Sequence, residues 1–212
     1  MTASFIVTGT DTGIGKTVFA AGLAGLLDGF YWKPVQSGLE EETDSEVVAR
    51  LSALPAGRIL PEVYRLTMPL SPHRSAEIDG VAIEAAKFSL PKLPGPLIIE
   101  GAGGLMVPLN RQTRFIDIFR EWQLPVILCA RTALGTINHT LLSLEALRVR
   151  SIPLLGIAFI GDEMADTQRT IAEMGKVRVL GRLPRLDPLT PAALAAAMRA
   201  SFNVAEFTEA TH

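Results

Sequence analysis

Short apolar runs alternate along this chain with stretches in which apolar residues return every three or four positions. The first run, residues 5–8, precedes Phe19, Leu23, Leu26 and Leu27, whose spacing marks one face of a helix. Residues 30–35 form a second run that reads as a strand. After an acidic turn at Glu40-Glu41-Glu42, Thr43-Asp44-Ser45-Glu46 has the order of a capping box and predicts a helix with Val47, Leu51 and Leu54 inward. Residues 55–80 are dotted with prolines and give no assignment, and 81–88 read as a short helix ended by Pro91, Pro94 and Pro96. Leu97-Ile98-Ile99 is continuously apolar, as a strand covered on both faces must be. Phe115, Ile118, Phe119 and Trp122 mark a helix, residues 126–129 a strand, and Ile137, Leu141, Leu144 and then Leu147 or Arg148 another helix. Strands follow at 154–160 and 177–180. Thr190 as N-cap with Pro191 behind it opens a last helix, with Leu194 and Met198 inward, and residues after about 203 read as a loose tail.

Strands that alternate with helices imply crossover units, so the expected fold is α/β: a parallel sheet with helices on both faces. A chain of 212 residues suits one such domain spanning 1–212. With 48% hydrophobic and 20% charged residues it is no disordered chain. A net charge of −2 supplies no basic field, so neither nucleic acid nor an anionic membrane is an expected partner. The lone cysteine, Cys129, excludes an internal disulfide and suits a reducing compartment. The N-terminus lacks the pattern of a signal peptide, and no apolar run approaches the ~20 residues of a membrane span. The expected location is the cytoplasm.

In open parallel sheets, ligands bind beyond the carboxyl ends of the strands. Three polar segments end strands there: 9–17, 33–38 and 100–104. Gly9-Thr10-Asp11-Thr12-Gly13-Ile14-Gly15-Lys16-Thr17 lies between a strand and a helix, the setting of a phosphate-binding loop. The strict pattern puts its first glycine where this chain has Thr10, with Gly9 beside it, so the loop is a variant. Its backbone N–H groups and the helix N-terminus suit an anion, Lys16 can reach terminal phosphates, and the Thr17 hydroxyl can ligate magnesium. Glu100, ending a buried strand before three glycines, reads as a second metal-organising group or as a turn cap. Lys33 is a solvated lysine or the neutraliser of an acidic substrate; Ser37-Gly38 is a plain turn or a hydroxyl facing the same ligand. A carboxylate at Asp44 already suits the start of its helix. His73 in Ser71-Pro72-His73 reads as a base or, preferably, a turn-capping histidine, and His139 as structural. The turn before residue 139 opens a helix and makes a second possible anion site. Neither zinc-ligand spacing nor a Gly-x-Ser-x-Gly elbow is present, which leaves magnesium and phosphoryl chemistry.

Taken in order, the loop at 9–17, Lys33-Pro34-Val35-Gln36-Ser37-Gly38, Ser71-Pro72-His73, Glu100-Gly101-Ala102-Gly103-Gly104, Val107-Pro108-Leu109 and Gly135-Thr136-Ile137-Asn138-His139 resemble the dethiobiotin synthetases over roughly residues 4–190. The resemblance implies a homodimeric P-loop enzyme of biotin biosynthesis that joins 7,8-diaminononanoate and carbon dioxide at the expense of ATP with magnesium. A carbamate and a carbamic-phosphoric anhydride are the implied intermediates. It assigns the nucleotide to Thr12, Gly13, Ile14, Gly15, Lys16, Thr17, Glu100, Gly103, Asp162, Pro184, Arg185 and Leu186. It assigns magnesium to Thr17, Asp44 and Glu100, and catalysis to Lys16, Lys33 and Ser37. Lys33 and Ser37 would contact the carbamate, while Gly135, Thr136, Ile137 and Asn138 of the other subunit would receive the substrate's tail carboxylate. Two positions depart from the family pattern. Gly161-Asp162 stands where relatives often carry Asn-Asp, so no side chain at 161 can read the adenine edge. Gly13 stands where an acid is common. Two rival readings share the fold. A cobyrinate-type amide ligase needs a glutaminase domain with a cysteine nucleophile, and Cys129 lies in the wrong context for one, which leaves that reading only if a partner subunit supplies the domain. A partitioning or division-site ATPase switch carries a lysine where this loop has Asp11.

Overall fold

Alternation along the strands explains how the layers form. In the computed structural model, which describes residues 3–208, β1 (Ser4–Gly9) leads through the glycine-rich loop to α1 (Lys16–Leu26). β2 (Phe30–Trp32), β3 (Val35–Ser37), α2 (Asp44–Leu51), β4 (Ile59–Leu60), β5 (Tyr64–Leu66) and α3 (Pro72–Ile78) follow. Then come β6 (Leu97–Gly104), α4 (Phe115–Trp122), β7 (Val126–Arg131), α5 (Thr136–Val149), β8 (Leu154–Ile160), α6 (Ala165–Gly175), β9 (Val179–Leu183), α7 (Pro191–Ser201) and α8 (Ala205–Thr208). Seven strands form one parallel sheet in the order β4-β2-β6-β1-β7-β8-β9, and β3 pairs with β5 in a separate two-stranded parallel sheet. Successive strand residues point to opposite faces. Phe5, Val7, Tyr31, Ile98, Ile127 and Cys129 therefore bury with α1, α2, α7 and α8. Ile6, Phe30, Trp32, Leu97, Ile99 and Val126 bury on the other face with α4. Leu128, Ala130, Ile157 and Phe159 continue that second face under α5 and α6.

The helix starts bear out the local chemistry. Thr43 and Glu46 form the capping box, and Thr190 caps α7 by accepting from the Ala193 N–H with Pro191 in the first turn. Of the two alternatives on α5, Leu147 is buried and Arg148 is exposed.

Four expectations are corrected. The strand expected at 30–35 is two strands in two sheets. Pro34 has no N–H with which to continue a ladder, and its carbonyl instead accepts from the Val63 and Tyr64 N–H groups, starting the second sheet. The helix expected at 81–88 is a single 3₁₀ turn, Ala85–Lys87. Ile83 and Phe88 on either side are buried, and the Glu84 N–H is tied to the Tyr64 hydroxyl at 2.9 Å. The last strand is Val179–Leu183, displaced from 177–180 because Val177 packs beneath α5 and α6. Finally, residues from Ala205 to Thr208 are helical, and Phe207 is fully buried edge-on against Phe5. A buried phenylalanine contributes about 1.5–3 kcal/mol, ample to hold that turn in place. The rest of the expected tail, 209–212, lies outside the described residues. α3 and α6 had no counterpart in the apolar pattern. Among the described residues no helix is long and apolar enough to cross a membrane.

Candidate active site

β1 is the middle strand of the sheet, and the loop that leaves it divides the carboxyl edge into two clefts. Gly13 and Gly15 line both. Gly15, the N-cap of α1, has φ 94°, and a Cβ there would lie 2.9 Å from Ile160 Cγ2. With no side chain at the cap and no acidic residue in the first turn, the α1 N-terminus keeps its amide donors for an anion.

The first cleft, of about 620 Å³, opens over the ends of β1, β2 and β6. Thr12, Lys16, Thr17, Lys33, Ser37, Asp44, Glu100 and Gly103 all line it, so the three polar segments do converge. Lys16 is buried and donates to the Asp11 carbonyl at 2.8 Å, which closes the loop. Burial pulls the Lys16 ammonium below its usual range, with Lys33 adding to the effect and Glu100 opposing it. The Thr17 hydroxyl lies 2.9 Å from Asp44 Oδ1 and 2.8 Å from Glu100 Oε1. Lys33, only 4% exposed, pairs with Asp44 Oδ2 and, at 3.3 Å, with Glu100 Oε1. Burial acts to lower Lys33, but Glu100 and Asp44 outweigh it and hold the ammonium above its usual range. Burial likewise acts to raise Asp44, yet Lys33 and the Thr17 hydroxyl hold it below the usual carboxylate range. Ser37 Oγ is buried, has no hydrogen-bond partner among the described residues and sits in the cleft wall.

Thr17 has one proton and two carboxylate oxygens beside it, so one of its short contacts brings two acceptors together. Three hard oxygens at such spacing suit a small divalent cation. No cluster of three or more His, Cys, Asp and Glu side chains able to hold a metal exists among the described residues. That donor set fits magnesium, which takes one or two carboxylates and completes its octahedron with water and phosphate oxygens.

The second cleft, of about 570 Å³, opens over the ends of β7 and β8. Ile14, Asp162 and Arg185 line it, with Arg131, Thr132 and Leu134. Gly161 there has φ 127°, and a Cβ would meet Thr132 Oγ1 at 2.7 Å. Arg182 donates to the Gly161 carbonyl at 2.9 Å, while Arg185 and Asp162 form only an exposed 3.8 Å pair. Pro184 and Leu186 flank Arg185 without lining the cleft. Gly135, Thr136, Ile137 and Asn138 lie at the start of α5 and line neither cleft within the chain; Gly135 and Asn138 are exposed, whereas the buried Thr136 hydroxyl bonds Thr140. The His73 ring pairs with the Ser71 hydroxyl at 2.9 Å, and Ser71 but not His73 faces the first cleft. Cys129 is buried, and burial pushes its thiol up, which leaves it unreactive.

Sequence reasoning passed over Tyr31 and Gln36. The Tyr31 hydroxyl, fully buried, donates to Glu100 Oε2 at 2.8 Å, and burial followed by the Glu100 charge raises its pKa well above the usual value. Gln36 Oε1 accepts from the Asp44 N–H at 3.4 Å, while its Nε2 spans the Ser37 and Gly38 carbonyls. For Tyr31 the signal was strand alternation, which puts it on the same face as Lys33. The aromatic run Phe30-Tyr31-Trp32 read as core and hid the polar tip.

A family model described as AAA domain matches residues 3–193. Solved structures sharing 10–15% identity have the same fold: the MinD cell division protein of Aquifex aeolicus at TM-score 0.53, covering 93% of this chain and 95% of that one, and the Pyrococcus furiosus cell division ATPase MinD at 0.52, covering 94% and 99%. Relatives named ATP-dependent dethiobiotin synthetase BioD match far more closely. One from Rhodopseudomonas palustris is 63% identical over 98% of this chain and 97% of its own length. One from Agrobacterium fabrum is 62% identical over 99% of both chains, and one from Nitrobacter hamburgensis 58% over 98% of both. With the phosphate loop, the two clefts and this full-length identity in agreement, the chain belongs to the ATP-dependent dethiobiotin synthetase family.

Proposed function

We propose that this chain closes the ureido ring of dethiobiotin from 7,8-diaminononanoate and carbon dioxide, driven by ATP. The observation that carries the reading is a lysine, Lys33, buried against the two carboxylates at the phosphate loop, in a chain whose relatives bear that enzyme's name. One amine of the substrate adds to carbon dioxide and loses a proton, giving a carbamate. A carbamate oxygen then attacks the γ-phosphorus as ADP leaves. The second amine attacks the anhydride carbonyl, loses its proton and expels phosphate.

A carbamate and a triphosphate repel each other, so the task of the protein is to hold them in line. Lys16 and the loop amides from Thr12 to Thr17 take the phosphates, and Gly103 lets β6 approach Thr12. Lys33 and the Ser37 hydroxyl, which has no hydrogen-bond partner among the described residues, take the carbamate. Thr17, Asp44 and Glu100 would hold magnesium, which supplies neutralising charge between the anions when bound. The nucleoside is assigned to the second cleft with Ile14, Asp162 and Arg185, flanked by Pro184 and Leu186. With Gly161 in place of a base-reading side chain, discrimination among nucleoside triphosphates is expected to be weak. Gly135, Thr136, Ile137 and Asn138 line neither cleft within the chain, and a homodimer would bring them from a second copy to the tail carboxylate. One domain over 1–212, working in the cytoplasm, completes the proposal.

The test is direct. Purified protein incubated with the diamine, bicarbonate, magnesium and ATP is expected to yield dethiobiotin. Folded protein that forms none with any nucleoside triphosphate would overturn the reading.

A further inference from the structure

Tyr31 and Glu100 sit on neighbouring strands. In the β2–β6 register Tyr31 is opposite Ile98, and Glu100 lies two residues on along the same face. With strands ~4.8 Å apart and a rise of ~3.3 Å per residue, such diagonal neighbours are roughly 8 Å apart, within reach of two long side chains. Both are enclosed, Tyr31 at 0% and Glu100 at 1% exposure. The two carboxylate oxygens of Glu100 consequently have different surroundings. Oε1 faces Thr17 at 2.8 Å and Lys33 at 3.3 Å, whereas Oε2 accepts from the Tyr31 hydroxyl at 2.8 Å. The last torsion of a glutamate is broad and nearly twofold, so rotation would exchange the two oxygens unless one of them is held.

We infer that Tyr31 is a positioning residue that dedicates Glu100 Oε2 to the protein and leaves Oε1 as the single oxygen offered to the cation. This rests on the proposal that Thr17, Asp44 and Glu100 hold magnesium. Groups that hydrogen-bond a metal-binding carboxylate orient it, and their loss commonly costs roughly 10–100-fold in metal affinity. The phenol suits the task because its ring is packed in the core and its hydroxyl is a neutral donor. It fixes the carboxylate without adding a positive charge that would compete with the ion.

The experiment is Mn²⁺ binding, followed by electron paramagnetic resonance in the presence of a non-hydrolysable ATP analogue, for the unsubstituted chain and for Tyr31→Phe. The expected result is a Kd for Mn²⁺ raised about tenfold or more by the loss of the hydroxyl, with affinity for the metal-free analogue within about threefold. In a Glu100→Gln background the same change is expected to have little further effect, since a shared pathway makes the two losses non-additive. A lower melting temperature with unchanged Mn²⁺ affinity would make Tyr31 merely structural and overturn the role. If the unsubstituted chain binds no Mn²⁺, the cation site falls and Tyr31's role with it. Should Tyr31→Phe fail to fold, 3-fluorotyrosine labelling keeps the test. The chain has two tyrosines, and the ¹⁹F resonance of Tyr31, not that of Tyr64, is expected to shift when Mg²⁺ joins the bound analogue. An unmoved Tyr31 resonance would overturn the role.

Discussion

The two clefts on either side of the phosphate loop are held by different means. In the first, Lys33, Glu100 and Tyr31 are buried, and each charged or polar tip leans on another at short range. In the second, the charged groups Arg185 and Asp162 are exposed and 3.8 Å apart, and Gly161 lies so close to the Thr132 hydroxyl that a Cβ there would clash with it. Buried charges interact strongly and tolerate little displacement, whereas exposed pairs are screened and contribute little. The difference suits the division of labour proposed above, with the phosphates in the first cleft and the nucleoside in the second. Phosphoryl chemistry demands fixed charges within hydrogen-bond reach, while the nucleoside is only a handle whose binding can be spread over many weak contacts.

The strongest test of this contrast is Lys33→Ala. Turnover is expected to fall by roughly 10²–10³-fold, as when a charge-stabilising donor is removed, with nucleotide Kd within about threefold. In metal-free protein the same change strands Glu100 in the interior, and denaturant unfolding is expected to show a loss of about 3–5 kcal/mol. Equal loss of nucleotide binding and turnover would contradict the assignment of Lys33 to the carbamate. Gly161→Asn should cost less, about 1–3 kcal/mol, because an asparagine must adopt φ near 127° and push Thr132 aside. A drop in melting temperature would show it, and no drop would mean the second cleft is more pliant than its packing implies.

Next comes pH. Asp44 is held below its usual value of 3.8, so its share of stability is present above that pH and is lost as pH falls through the depressed value. Lys33 is held above 10.5, so its share is present below that pH and is lost as pH rises through the raised value. Unfolding free energy between these limits is expected to owe nothing to titration of this pair, and Lys33→Ala should weaken both arms. The smallest effect belongs to Arg185→Ala. An exposed pair at that distance predicts a stability change within about 0.5 kcal/mol and a nucleotide KM within about threefold. A larger shift would show that the second cleft binds through charge after all.

Much of the architecture was legible because it is local. Strand alternation, helix periodicity, the Thr43–Glu46 capping box and the Thr190-Pro191 start depend on residues within a turn or two of one another, and the structure has both caps where the pattern put them. Residues 30–35 were harder. Proline's missing donor could be read from the chain, but not that its carbonyl would recruit Val63 and Tyr64 into a second sheet. The wall of the first cleft formed by Pro69, Leu70, Ser71 and Pro72 came from a segment with no apolar period to read.

By itself, the sequence determined the elements that carry a clear apolar period, their order, and the phosphate loop with its Lys16-Thr17, since these follow from backbone geometry and short-range spacing. Only the tertiary structure decided which distant side chains meet. Tyr31 reaches Glu100 across 69 positions, and Thr17 reaches it across 83, because β2, β6 and β1 lie side by side in the sheet. Strand order is a property of the whole chain's burial, not of any segment, and so the partner of a buried carboxylate could not be read from the residues around it.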